Sequence, residues 1–319
     1  MWAEDWTQFY GGIEARGGSS GGAGGFAEVS GRNGLIFAGS ADLRAADGSV
    51  GQLLLDPTDI TIQDAGTTDI DLDDTGFPDV FQSTTSLTSG IITTADLESQ
   101  LMLSDVLIKT SSGGMGAGNI MFDNDVIYTG SSPRTLTLEA EGSVSLNTGV
   151  SISSTLGALN LMFYADVDTN FSGDLILSDG ASLNSNGGNM IFNASGFQID
   201  PSAMINAGVG LVDFQVALVS IVDFLLGSTG PGAALSQAEL DTITAGQITV
   251  SNVTGGRVKL EGDVTLDPMK VSRLKVKTSS GALDDATMGI FYDLSVQSLE
   301  ISLGSGQILM GGETIRLRI

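Results

Sequence analysis

The chain is dominated by short apolar stretches that come in threes. One set reads Leu136-Thr-Leu138, Val144-Ser-Leu146 and Val150-Ser-Ile152. The next reads Leu159-Asn-Leu161, Leu175-Ile-Leu177 and Ala181-Ser-Leu183, and a third Met190-Ile-Phe192, Phe197-Gln-Ile199 and Met204-Ile205. Their first members begin 23 and then 31 residues apart, and Leu211 follows 21 residues later. Val106-Leu-Ile108, Ile120-Met-Phe122 and Val126-Ile127 form an earlier set. Alternation of period two is the mark of a strand, whose successive side chains point to opposite faces. Imperfect repeats of about 20–30 residues with no helix between the stretches predict a solenoid. In a parallel β-helix three strands make one coil, and equivalent inward side chains of stacked coils pile into apolar columns. The competing arrangement is a twisted sandwich of antiparallel hairpins. Tight hairpin signals are few, however: Asn33-Gly34, Asp47-Gly48 and Asp179-Gly180. The expected class is all-β, a parallel β-solenoid with one or two short helical turns.

Composition agrees and narrows the function. There are 28 Asp against 10 Glu, and 44 Gly in 319 residues. Glu favours helices, whereas Asp and Gly favour turns, and a solenoid coil needs a turn at every corner. Apolar residues make up 41% of the chain, too many for a solvated, disordered polymer. With neither His nor Cys present, zinc fingers, Ser–His or Cys–His catalysis, and haem or iron–sulfur centres on those ligands are excluded. The net charge of −25 argues against nucleic acid as a partner, since that needs cations to replace counterions.

The charge is uneven. Residues 1–256 hold 5 basic and 30 acidic groups, and residues 257–319 hold 8 of each. The division expected is acidic solenoid coils over 1–226, a linker with a short helical turn over 227–245, and a charge-neutral continuation of the solenoid over 246–319. The most apolar stretch, Val209 to Leu226, contains Asp213, Gln215 and Asp223. It is read as a buried strand pair or one short helix, not a membrane span. The start, Met1-Trp-Ala-Glu-Asp-Trp6, has neither the basic nor the apolar part of a signal peptide. Two helical turns are expected, at Thr93-Thr-Ala-Asp-Leu-Glu98 with Thr94 as cap, and at Ser236-Gln-Ala-Glu-Leu240. Ser236 and Glu239 have capping-box spacing.

The segment WAEDWTQFYGGIEARGGSSGGAGGFAEVSG from Trp2 to Gly31, followed by GQLLLDPTDITI from Gly51 to Ile62, resembles a repeat of very large surface proteins of the filamentous haemagglutinin type. These are adhesins that Gram-negative bacteria secrete by the two-partner route. TTADLESQL from Thr93 and LSQAELDTITAGQITV from Leu235 resemble helical turns that introduce fresh strand groups in that family. The resemblance implies a right-handed parallel β-helix within a long exported fibre at the bacterial cell surface or in the extracellular matrix. It also implies an outer-membrane secretion partner, and a chain that is one piece of a longer protein.

Four features are candidate sites. Asp69, Asp71 and Asp73 alternate, which would put three carboxylates on one strand face and allow Ca²⁺. No EF-hand or calcium nonapeptide pattern accompanies them, and a solvated acidic loop is the plainer reading. No other cofactor is expected. Basic residues alternate with apolar ones in three sets: Arg257 and Lys259; Arg273, Lys275 and Lys277; Arg316 and Arg318. Each set would point to one side of a strand. They are read as a solvent face balanced by nearby acids or, more sharply, as an assembly contact with an acidic neighbour. The glycine-rich run Gly17–Gly25 lacks the Gly-Lys-Ser/Thr end of a phosphate loop and is read as a turn. Paired carboxylates can hydrolyse glycosidic bonds, but so many Asp residues make no single pair informative. The expected function is structural and non-catalytic: a stiff rod of an adhesin or fibre, stacking end to end into filaments or gripping a surface glycan or protein. A carbohydrate-active β-helix enzyme is the alternative.

Overall fold

The computed structural model describes residues 1–64, 70–73, 80–83, 90–110, 116–216, 222–252, 255–279, 283–285, 292–303, 308–309 and 316–318. Alternating residues generate the fold directly. In Leu159–Tyr164 the burial alternates strictly, with Leu159, Leu161 and Phe163 inside and Asn160, Met162 and Tyr164 outside. Neighbouring coils repeat the pattern in parallel register: Leu136 pairs with Leu161, Leu161 with Met190, and Met190 with Val212. Successive coils therefore take 25, 29 and 22 residues. Corner loops absorb the difference, so register is kept while length varies.

Each coil contributes strands to three faces. On the first face a single parallel sheet of eleven strands runs from Trp2–Ala3 through Gln52–Asp56, Asp105–Lys109, Leu159–Tyr164 and Gln247–Asn252 to Leu299–Leu303. The second face has a sheet of eight strands from Trp6–Phe9 to Gly196–Ile199, followed by one of five that includes Phe224–Leu226 and Val258–Leu260. The third face is broken into sheets of two, five and three strands. The one antiparallel pair among the described strands, Ile70–Asp73 with Val80–Ser83, leaves the coil pattern.

Two inward columns of the first face form the spine of the core. One holds Leu53, Val106, Leu136, Leu161, Met190, Val212, Ile248 and Leu274. The other holds Leu55, Ile108, Leu138, Phe163, Phe192, Phe214, Val250 and Val276, and none of the sixteen is more than 1% exposed. Each such side chain contributes about 1.5–3 kcal/mol by leaving water. Phe163, Phe192 and Phe214 follow one another along the column with tilted rings whose centres lie 5.6 and 5.4 Å apart, and Phe197 meets Phe214 edge-on at 5.2 Å.

The two helices explain the breaks in the third face. Helix α1 (Thr94–Leu101) has Thr93 as its N-cap, its hydroxyl accepting from the Asp96 amide at 3.1 Å. Thr94, the expected cap, instead donates to Asp64 Oδ1. Leu97 and Leu101 face the core. The helix takes the place of a strand between Ser40–Asp42 and Val126–Tyr128. Gln100, 2% exposed, donates Nε2 to the Ala41 carbonyl and accepts from the Ala41 amide at Oε1, both at 2.8 Å. On the other side Glu98 Oε1 accepts from the Ile127 amide at 2.7 Å. Helix α2 (Gln237–Leu240) repeats the device: the Gln237 amide group bonds the Thr265 amide and carbonyl, again at 2.8 Å each. A side-chain amide thus completes the edge that a strand would otherwise pair.

Both helices follow a strand that doubles back. Gly90–Thr93 inserts between Gly34–Phe37 and Ile60–Gln63, and Ala234–Leu235 pairs beside Phe224–Leu226. The stretch 227–245 therefore carries the returning strand, α2 and the strand Ile243–Thr244.

The glycine-rich run lies where corner loops close on each other. A side chain at Gly24 would run into the backbone of Leu43 and Gly51. Gly24 and Gly25 donate to the carbonyls of Ser49 and Ala15.

Candidate assembly surface

The basic residues are held by the strands on which they alternate. Val258 and Leu260 are buried, so Lys259 points outward from the second face. Its Nζ lies 2.6 Å from Asp223 Oδ2, and Arg257 Nη2 lies 3.0 Å from the same oxygen. The Arg257 amide also donates to Asp223 Oδ1. Burial alone would push the Asp223 carboxyl up, but the bonds from Arg257 and Lys259 outweigh it and hold it below the usual range.

Arg273, Lys275 and Lys277 lie on the first face, outward of buried Leu274 and Val276. Lys275 Nζ donates to Glu300 Oε1 at 2.6 Å, and Arg273 Nη1 stands 3.7 Å from Glu300 Oε2. The Lys275 bond lowers the Glu300 pKa. Lys277 is exposed and makes no ion pair among the described residues. Arg316 and Arg318 belong to a third-face strand in register with Asp293 and Ser295. The structure thus distributes the three sets over three faces.

Of the candidate calcium residues, Asp69 lies outside the described residues. Asp71 and Asp73 stand two apart on the antiparallel strand Ile70–Asp73, opposite Gln82 and Val80. Among the described residues no three His, Cys, Asp or Glu are grouped to hold a metal ion. No helix there is long and apolar enough to cross a membrane. A groove of about 490 Å³ beside Gly196–Ile199 is lined by Asp174, Gln198 and Glu239. Its carboxylates are engaged in its own walls: Asp174 accepts from Gln198 at 2.6 Å, and Glu239 from the Ser236 amide at 2.7 Å.

Other acids have an architectural role that alternation did not reveal. At strand starts a short Asp or Asn side chain reaches the next coil and accepts its first amide. Asp105 accepts from Thr135, Asn160 from Asn189, and Asn189 from Leu211, at 2.9–3.0 Å. Asp59, Asn119 and Asp125 do the same for Asn119, Ser143 and Ser151.

The outward surface of the first face is organised in columns. The central one reads Glu28, Leu54, Leu107, Thr137, Met162, Ile191, Asp213, Thr249, Lys275 and Glu300. A strand facing water on one side normally presents polar residues there, yet four of these ten are large, apolar and partly exposed. Beside them lie Asp56, Lys109, Glu139, Tyr164, Asn193, Gln215, Ser251 and Lys277. Asp56 Oδ1 is buried with no hydrogen-bond partner among the described residues. Burial pushes the Asp56 carboxyl up to about 6, against the pull of Lys109 and with the repulsion of Glu28, Glu141 and Glu139. Burial likewise raises Asp213.

No protein-family model matches the sequence, and no curated protein matches it.

Proposed function

We propose that this chain is a structural, non-catalytic rod: a right-handed β-solenoid segment of a secreted bacterial surface adhesin or extracellular fibre. The observation that carries the reading is the unbroken parallel sheet of eleven strands, spanning residues 2–303. At a strand spacing of about 4.8 Å such a sheet is about 50 Å long, and its continuous main-chain bonding gives stiffness along the stacking axis. The side chains of Asp105, Asn160, Asn189 and Gln100 bond to the backbone of neighbouring coils, which suits a scaffold. The likeness of Trp2–Gly31 and Gly51–Ile62 to filamentous haemagglutinin-type adhesins supplies the setting: export through an outer-membrane partner and display at the cell surface. Strand edges at the two ends of the stack are a template for coils of another chain, so end-to-end filaments belong to the reading. Negative-stain microscopy of the purified chain tests it, with stiff particles about 50 Å long, or filaments lengthened along that same axis, expected. Globular particles, or depolymerisation of polysaccharides by the pure protein, would overturn it.

A further inference from the structure

We propose that the chain cuts itself: in mild acid the Asp56 side chain breaks the peptide bond between Asp56 and Pro57. Three of the six prolines follow an aspartate, in Asp56-Pro57, Asp200-Pro201 and Asp267-Pro268. The structure treats the three pairs differently. Asp200 Oδ1 accepts from the hydroxyl and the amide of Ser202, at 2.6 and 2.8 Å, and these bonds hold its carboxyl below the usual range. Asp267 is exposed, and its Oδ1 accepts from the Met269 amide at 2.9 Å. Asp56 has no such brace. Its Oδ1 is buried with no hydrogen-bond partner among the described residues. It ends the first-face strand Gln52–Asp56, and Pro57 is buried in the corner before Ile60–Gln63.

Nucleophile and carbonyl belong to the same residue, so the attack needs bond rotation and no encounter. The carboxyl oxygen of Asp56 bonds to the carbonyl carbon of its own peptide unit, closing a cyclic anhydride. The C–N bond to Pro57 breaks, and the nitrogen, which carries no hydrogen of its own, takes the carboxyl proton and leaves as a secondary amine. Asp56 is partly exposed, so water reaches the anhydride and opens it to two carboxyl groups. The step therefore requires the carboxyl proton. The charged groups facing Asp56 are Glu28 on the preceding strand of the sheet, Lys109 on the next, and Glu139 and Glu141 one coil farther on. Lys109 Nζ stands 3.5 Å from Glu139 Oε2. Burial above all, with the three glutamates, keeps the proton on Asp56 up to about pH 6 against the pull of Lys109. At pH 5 the protonated share is about fifteenfold that of a carboxyl at the ordinary 3.8. After the cut, Gln52–Asp56 stays paired with Asp105–Lys109, Gly34–Phe37 with Gly90–Thr93, and Gln100 still bonds Ala41. The first coils then hold to the stack by non-covalent contacts alone.

Incubation of the full chain at pH 5 and at pH 7.5 for a week at 37 °C, read by denaturing electrophoresis and intact mass, tests this. Fragments 1–56 and 57–319 are expected at pH 5, forming at least tenfold faster than at pH 7.5. They should also form at least tenfold faster than cuts at Asp200-Pro201 or Asp267-Pro268. Asp56→Asn removes the attacking oxygen and its proton and should abolish the cut. Pro57→Ala should slow it at least tenfold, with circular dichroism showing the fold retained in both variants. In urea at pH 5, where folding no longer distinguishes the three carboxyls, the three bonds should break at similar rates. A chain that stays intact at pH 5, equal cutting of the three bonds in the folded protein, or fragments that persist in Asp56→Asn would overturn the proposal. So would selectivity that survives in urea. None of these outcomes bears on the rod reading.

Discussion

Asp56 shows how one side chain couples pH to the stability of the stack. Its carboxyl is raised from 3.8 to about 6 because burial disfavours its charge. The native state therefore binds the proton more tightly than the unfolded chain. Stability from this group rises as pH falls through about 6, levels off below 3.8, and is absent above 6. A shift of two units corresponds to about 3 kcal/mol, but Asp56 is only partly buried, and solvent reduces this to about 1 kcal/mol. Asp56→Asn is expected to raise the urea midpoint at pH 7.5 and to flatten the dependence between pH 4 and 6.5. A midpoint lower than that of the parent at pH 7.5 would contradict this account. In the core the scale is larger. Phe192 is fully buried between Phe163 and Phe214, so Phe192→Ala should cost about 3–5 kcal/mol in denaturant melts. The excess of Asp over Glu also finds its reason here. Asp105 and Asp59 work with Asn160 and Asn189 because a short side chain at a strand start reaches the adjacent amide while its backbone stays in register. The composition signalled turns, whereas the hydrogen bonds show these residues also stitching successive coils.

Helix α1 replaces a strand without leaving its neighbours' edges bare, and Gln100 is the residue on which this depends. Gln100→Leu keeps the volume but strips both partners from the buried Ala41 backbone, with an expected loss of about 2–4 kcal/mol. Gln237→Leu makes the same change at the more open α2 and should cost about 1 kcal/mol. Equal losses at the two sites, measured by chemical denaturation, would refute the strand-substitute argument. Elements of this kind set the boundary of what could be read from the chain. The triplets between Leu136 and Ile205 were legible because apolar residues at every second position can only be buried by a strand. Helices at Thr94–Leu101 and Gln237–Leu240 carry their signal in local capping chemistry. The returning strands Gly90–Thr93 and Ala234–Leu235 carry none, since which coil a strand joins is decided by pairing across tens of residues. Nothing local marks Gln100 as buried; the packing of the third face buries it. The basic sets were recognisable as alternating, but not as belonging to three faces, because each corner turns the chain by an amount that alternation does not encode.

Stacking concentrates charge as well as apolar surface. Residues 1–256 carry 30 acids and 5 bases, and folding brings them into rows about 4.8 Å apart. Coulomb repulsion there opposes the compact state and is relieved by screening. In residues 257–303 the balance is different: Lys259 and Arg257 share Asp223, while Lys275 and Arg273 share Glu300. Screening weakens these attractions, most of all the exposed Arg273–Glu300 pair, which is worth only about 0–1 kcal/mol. The two ends of one solenoid should therefore respond to salt with opposite signs. A solenoid coil touches chiefly its neighbours, so local stability need not be averaged over the molecule. Raising NaCl from 20 to 500 mM shortens the screening length from about 20 to about 4 Å. Amide exchange read by mass spectrometry should then slow in the coils between Phe26 and Tyr164. Over Gln247–Thr278 it should stay constant or quicken slightly. A uniform response along the chain would mean that the coils unfold as one unit and that the charge asymmetry has no local consequence. A slowing confined to the carboxyl-terminal coils would show that the ion pairs there are not what holds those coils together.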